Sequence, residues 1–175
     1  ATTGKLLWKL PTYMMFIGTP SAIADGCLVT ASDYDNLIYC IGKGPSGTTV
    51  NAPLNGVSEG SSFTITGTVT DQSAGAVAFA SKYGLMNGVA AVSDNDQEAY
   101  MTYLYEQQLK PTSATGVQVD INVIDPNGNL VKLGATHSDV NGFYSFQVNP
   151  DMLAAGSGTY QVIASFAGSN SYGSS

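Results

Sequence analysis

Apolar and polar residues alternate with a period of two over much of this chain. Ser62-Phe-Thr-Ile-Thr-Gly-Thr-Val-Thr70 sets apolar side chains on one face and threonines on the other, and Val117-Gln-Val-Asp-Ile-Asn-Val-Ile124 repeats the pattern. Such alternation predicts antiparallel strands with one buried and one wet face. Turn chemistry separates the runs. In Asp125-Pro-Asn-Gly128 the proline presets φ and Asn-Gly tolerates left-handed backbone. Leu130-Val-Lys-Leu133 follows, then the turn Asp139-Val-Asn-Gly142, then Phe143-Tyr-Ser-Phe-Gln-Val148, and Thr159-Tyr-Gln-Val-Ile-Ala-Ser-Phe166 completes the series. Short strands with regular turns predict a β-sandwich over residues 48–175.

Two stretches depart from that rhythm. Ser93-Asp-Asn-Asp-Gln-Glu-Ala-Tyr-Met-Thr-Tyr-Leu-Tyr-Glu-Gln-Gln108 predicts a helix over about residues 94–108, with Ser93 or Asp94 as cap, acids in the first turn and Lys110-Pro111 as the stop. It lies in an insertion over residues 71–116, long for a plain connection. Upstream, Lys5-Leu-Leu-Trp-Lys-Leu10 is a short strand candidate, while Cys27-Leu-Val-Thr-Ala-Ser32 and Leu37-Ile-Tyr-Cys-Ile41 flank Asp33-Tyr-Asp-Asn36 as a hairpin should. Lys43-Gly-Pro-Ser-Gly47 ends this first β segment, residues 1–47. The chain opens on Ala1 without a charged and then apolar leader, so the expectation is a processed form or a piece of a longer chain. The closing Gly168-Ser-Asn-Ser-Tyr-Gly-Ser-Ser175 reads as the entry to a linker.

Composition narrows the function classes. The chain has 175 residues, six cationic side chains, all lysine, against thirteen acids, and a net charge of −7. An acidic chain without arginine is a poor partner for nucleic acid, where clustered cationic donors carry the affinity. At 43% hydrophobic residues it has enough apolar surface to bury a core. No apolar run, including Tyr13-Met14-Met15-Phe16-Ile17, is long enough to span a bilayer. One histidine, His137, and two cysteines cannot build a histidine-rich or four-cysteine zinc site.

Gly4-Lys-Leu-Leu-Trp-Lys9, Thr19-Pro-Ser-Ala-Ile-Ala-Asp-Gly26, Leu28-Val-Thr-Ala-Ser-Asp33 and Leu37-Ile-Tyr-Cys40 together resemble a repeat of PQQ-like β-propellers. The downstream part, above all Gly158-Thr-Tyr-Gln-Val-Ile-Ala-Ser-Phe-Ala-Gly-Ser-Asn-Ser-Tyr172, resembles immunoglobulin-like domains of bacterial and archaeal surface proteins. The resemblance implies the C-terminal part of an exported propeller protein: all-β, an Ig-like sandwich with a helical insertion preceded by a blade-like segment. A propeller needs about four to eight blades, and one blade's worth is present, so no cofactor-binding residue is carried over. A lone blade exposes apolar faces and unpaired edges. Trp8, Met14, Met15, Phe16 and Ile17 then need cover from the sandwich, from further blades or from another copy.

Candidate chemistry is sparse. Cys27 and Cys40 flank one hairpin, and a turn centred on Asp33-Tyr34 sets them opposite each other; a centre one residue along puts them out of reach. They read as a disulfide, which fits an exported protein, or as two buried thiols. Asp125, Asn127 and Asp139 lie in oxygen-rich turns that suit calcium, though the spacing fits no EF-hand and ordinary β-turns are the preferred explanation. Tyr100, Tyr103 and Tyr105, with Tyr83, form either an exposed aromatic face for a sugar or another protein, or a stripe packing the helix on the sheet. His137 in Thr136-His-Ser-Asp139 reads as a surface turn residue, since no Gly-x-Ser-x-Gly elbow accompanies it. No paired acids are arranged as a glycosidase needs, and no Asn-x-Ser/Thr acceptor is present. The expectation is a non-catalytic extracellular or cell-surface structural protein, without cofactor beyond calcium, that self-associates or binds another surface protein. The rival is a carbohydrate- or protein-binding module.

Overall fold

The computed structural model describes Gly4, Leu6, Lys9 and residues 21–175. Of the predicted strand Lys5–Leu10 only Leu6 and Lys9 are described, and the candidate contact residues Trp8, Met14, Met15 and Phe16 lie outside the described residues. The described part is mostly antiparallel β-sheet with two helices.

The first sheet holds β1 (Ala22–Ala24), β2 (Cys27–Ser32) and β3 (Leu37–Ile41) in sequence order. β2 and β3 close around Asp33–Asn36 with Ser32 opposite Leu37. Asn36 takes φ 57°, which asparagine accepts more readily than most residues, and the Asp35 carboxylate receives the Leu37 N–H at 3.1 Å. This local bonding centres the hairpin on Tyr34-Asp35, one residue beyond the centre that would set the cysteines opposite each other.

Two further sheets face each other across the main core. One is built on β5 (Phe63–Asp71), which pairs along its first six residues with β9 (Phe143–Val148) and at its far end with β4 (Ser46–Thr48) and β6 (Val89–Ala90). The other has the order β10 (Gln161–Ser165), β7 (Gln118–Ile124), β8 (Leu130–His137). The alternation read from sequence decides what meets between them. Ile65 and Val69 of β5, Val119 and Ile121 of β7, and Tyr144 and Val148 of β9 join one buried cluster. Each contributes about 1.5–3 kcal/mol by leaving water. Ser46–Thr48 already belongs to the β5 sheet, so that sheet starts just before the predicted boundary at residue 48.

The insertion carries more structure than its sequence suggested. α1 (Ala74–Tyr83) precedes the predicted helix, which is present as α2 (Gln97–Tyr105). α1 begins where the Ser73 hydroxyl accepts the Ala76 N–H at 3.4 Å and ends on Gly84 in the left-handed conformation at φ 66°. Its run of alanines favours helix by propensity while giving a weak apolar stripe, which is why periodicity passes over it. α1, α2 and β6 share a second buried cluster that includes Ala76, Val89, Val92, Tyr100 and Leu104. Asp96 pins the neck of the insertion: its carboxylate accepts Ser93 Oγ at 2.6 Å, Thr115 N at 3.0 Å and Thr115 Oγ1 at 2.8 Å.

Candidate functional site

The C-terminal segment, expected to be a linker entry, is instead the most heavily bonded loop described here. Asp94, just ahead of α2, receives five hydrogen bonds from three consecutive residues. Ser169 Oγ (2.9 Å), Ser171 N (3.0 Å) and Ser171 Oγ (2.7 Å) donate to Oδ1; Asn170 N (3.1 Å) and Nδ2 (2.9 Å) donate to Oδ2. Burial pushes the Asp94 carboxyl up, but the donors of Ser171, Asn170 and Ser169 outweigh it and hold the group at about 2. Gly44 N bonds Ser171 O, Gly173 N bonds Gly44 O, and Ser46 Oγ bonds Gly173 O, so the tail runs beside the join that leads into β4. Tyr172 is thereby driven into the core, 2% exposed. Among the described residues its hydroxyl makes no hydrogen bond, although Gln97 and Val92 lie beside it.

The tail ends against β10. Phe166 N bonds Ser175 O at 2.8 Å and Ser175 N bonds Phe166 O at 3.0 Å. Both backbone groups of Phe166 thus point away from β7. Backbone groups alternate in direction along a strand, so those of Val162 and Ala164 point the same way, onto an edge of the sheet. The two edges of this sheet differ. β8 carries Lys132, bonded to Asp120 at 3.0 Å, and the ladder between β7 and β8 shifts register at Ile121/Asn122. β10 reads Gln-Val-Ile-Ala-Ser, with no charge and no proline.

The sequence-derived candidates are dispersed. Asp125 and Asp139 stand at opposite ends of the eight-residue strand β8, roughly 25 Å apart at a strand's rise per residue, so Asp125, Asn127 and Asp139 do not form one calcium site. Each acid closes its own turn. Asp125 Oδ1 accepts Asn127 N and Asn129 N, and Asp139 Oδ1 accepts Asn141 N and Phe143 N. The Asn129 amide, foremost, holds the Asp125 carboxyl below its ordinary value. Among the described residues, no group of three or more His, Cys, Asp or Glu side chains is placed to hold a metal ion. Tyr100 is 3% exposed and stacks edge-on with Tyr103 at 5.8 Å, so it packs the helix and does not belong to an exposed aromatic face. Burial pushes its hydroxyl up to about 12. Tyr103 is half-buried, with Lys110 Nζ 5.9 Å from its ring centre. His137 is exposed at the end of β8, while Ser138 turns inward to accept Val117 N at 3.0 Å, so the two are not arranged as a catalytic pair.

Cys27 and Cys40 are free thiols. The register places Val29 opposite Cys40 and Leu28 opposite Ile41, which makes the two cysteines diagonal neighbours on one face. The neighbouring Cys40 thiol is the main cause holding the Cys27 thiol above its ordinary value. This is the register in which the expected disulfide lies out of ordinary reach, and both thiols are free. The hairpin's other face packs on α2, where Tyr39 meets Tyr105 edge-on at 6.2 Å and its hydroxyl donates to Asp35. Glu106, 9% exposed at the end of α2, is raised by burial and by the nearby Asp35 carboxylate.

The Asp94 clasp is the feature the sequence did not show. Asp94 reads locally as a helix-capping residue and Ser169-Asn-Ser171 as linker, and about 75 residues separate donor from acceptor. The one local hint was Tyr172, a large aromatic inside a Gly/Ser stretch. Compared with protein-family models, curated proteins and solved structures, the chain matches none.

Proposed function

We propose that this chain is a non-catalytic structural protein of an exported, cell-surface setting, and that it self-associates by strand addition at β10. The open edge of β10 carries the reading. Four residues guide it. Among the described residues, the backbone groups of Val162 and Ala164 on this edge have no partner; Phe166 and Ser175 form the first rung of a ladder that an incoming antiparallel strand would extend. Natural sheets guard such edges with lysine, proline or bulges, as β8 does and β10 does not. A strand added there would repeat head to tail between copies, which generates open filaments when rotation does not close a ring.

The blade-like and Ig-like readings of residues 1–47 and 48–175 belong to this proposal. Support comes from the three-stranded antiparallel hairpin sheet, whose outward face is formed by Ala22, Ala24, Cys27, Val29, Ala31, Ile38 and Cys40 without a charged residue. Exposure of Ile38 at 77% leaves that face in want of a neighbour. The non-catalytic reading draws on what the carboxylates do: Asp94, Asp96, Asp125 and Asp139 are each engaged in holding backbone or hydroxyl donors. Light scattering of the purified chain across the micromolar range tests the reading. The expected result is mass rising with concentration, and suppression of that rise by Ile163→Lys. Val162 and Ala164 pack on the core, so the Ile163 side chain stands on the opposite face, beside the edge. A wild-type chain that stays monomeric throughout overturns the proposal.

A further inference from the structure

We propose that Cys27 and Cys40 form an oxidisable dithiol, a modification site that closes into a cross-strand disulfide by exchange with a small-molecule disulfide. The inference is independent of self-association. Continuing the β2–β3 register sets Cys27 opposite Gly42, two residues from Cys40 on the same face. Diagonal α-carbons are ordinarily about 7–8 Å apart, just beyond what a disulfide spans without backbone movement, so closure draws the two strands together at the hairpin base. Gly42 leaves room for that. A Cβ at that position would lie 2.7 Å from Cys27 Sγ, so the Cys27 side chain already fills the space a side chain at 42 would take and leans across the hairpin. There it lies on the β3 side of the hairpin, on the face that also carries Cys40.

Exposure orders the chemistry. Cys40 is exposed and Cys27 half-buried, so an incoming disulfide meets Cys40 first. The Cys40 thiolate attacks one sulfur of the small disulfide; that S–S bond breaks, a mixed disulfide forms on Cys40, and the departing thiolate takes up a proton. Cys27 then loses its proton to solvent and attacks the Cys40 sulfur. The Cys27–Cys40 bond forms and a second small thiol leaves. Two protein thiols are oxidised by two electrons, and the small disulfide is reduced to two thiols. The closed bond clips the base of the hairpin whose other face carries the Tyr39–Tyr105 contact.

Oxidised glutathione is the probe, with the full chain, intact mass and non-reducing electrophoresis as readouts. Wild type is expected to end about 2 Da lighter with no glutathione attached. Cys27→Ser is expected to retain one glutathione on Cys40. Gly42→Val, which occupies the space of the Cys27 sulfur, is expected to slow closure at least about tenfold and let the mixed disulfide accumulate. A wild-type chain that keeps a stable glutathione adduct, or that cross-links only between copies, overturns the proposal. The comparison of wild type with Cys27→Ser decides this even where Gly42→Val fails to fold.

Discussion

Asp94 is the residue on which the tail depends, and its contribution can be worked from its titration. Asp94→Asn keeps the size of the side chain but removes the charge that five donors point at. A carboxyl held at about 2 in place of its ordinary 3.8 stabilises the folded chain by about 2 kcal/mol at neutral pH. Asp94→Ala also leaves the donors of Ser169, Asn170 and Ser171 without their acceptor. Because the serine donors are half-buried and those of Asn170 exposed, water replaces part of what is lost, and the total cost is about 3 kcal/mol. The pH dependence is distinctive. A depressed folded value gives stability that is complete above the ordinary carboxyl value and is lost as pH falls through about 2. Urea unfolding at pH 7 and near pH 2, followed by far-ultraviolet circular dichroism, should show a gap between wild type and Asp94→Asn of about 2 kcal/mol that closes on acidification. A gap under about 0.5 kcal/mol at pH 7, or one that survives unchanged in acid, refutes the clasp as an energetic feature.

Two further outcomes follow from packing. Tyr172→Phe removes a buried hydroxyl that has no partner among the described residues while keeping the ring, so it should raise stability by about 1 kcal/mol in the same urea assay; a loss of that size would mean the hydroxyl is satisfied. Gly67→Ala would drive a methyl group into the Thr49 carbonyl oxygen and the Tyr144 hydroxyl that bonds it, lowering stability by about 3 kcal/mol and the melting temperature with it, whereas a wild-type melting curve would contradict that close approach.

The strands of the main core were legible because their cause is local. β7 and β5 announce themselves by alternation, and the turn at Asp125–Gly128 by residues that fit one backbone path. The hairpin was legible too, but not its register: one residue of difference in the turn, set by Asn36 and the Asp35 carboxylate, moves Cys27 from opposite Cys40 to diagonal from it. α1 was hidden because alanines make a helix without a strong stripe. The clasp was hidden for a deeper reason. Hydrogen bonds from Ser169–Ser171 to Asp94 depend on tertiary placement, and nothing in Gly168–Ser175 tells a bound loop from a linker except the burial of Tyr172. The calcium candidates illustrate the converse, since Asx turns and cation loops draw on the same residues, and only the eight-residue strand between Asp125 and Asp139 separates the readings.

Site-resolved amide exchange in β10 tests the central claim most directly, measured on dilute and concentrated wild-type chain. The N–H groups of Val162 and Ala164 point to the open edge, while those of Gln161, Ile163 and Ser165 point to β7. Strand addition predicts that Val162 and Ala164 exchange rapidly when dilute and become protected as the chain assembles, with the other three protected throughout. Assembly that leaves Val162 and Ala164 exchanging freely, or a chain that does not assemble, would contradict it.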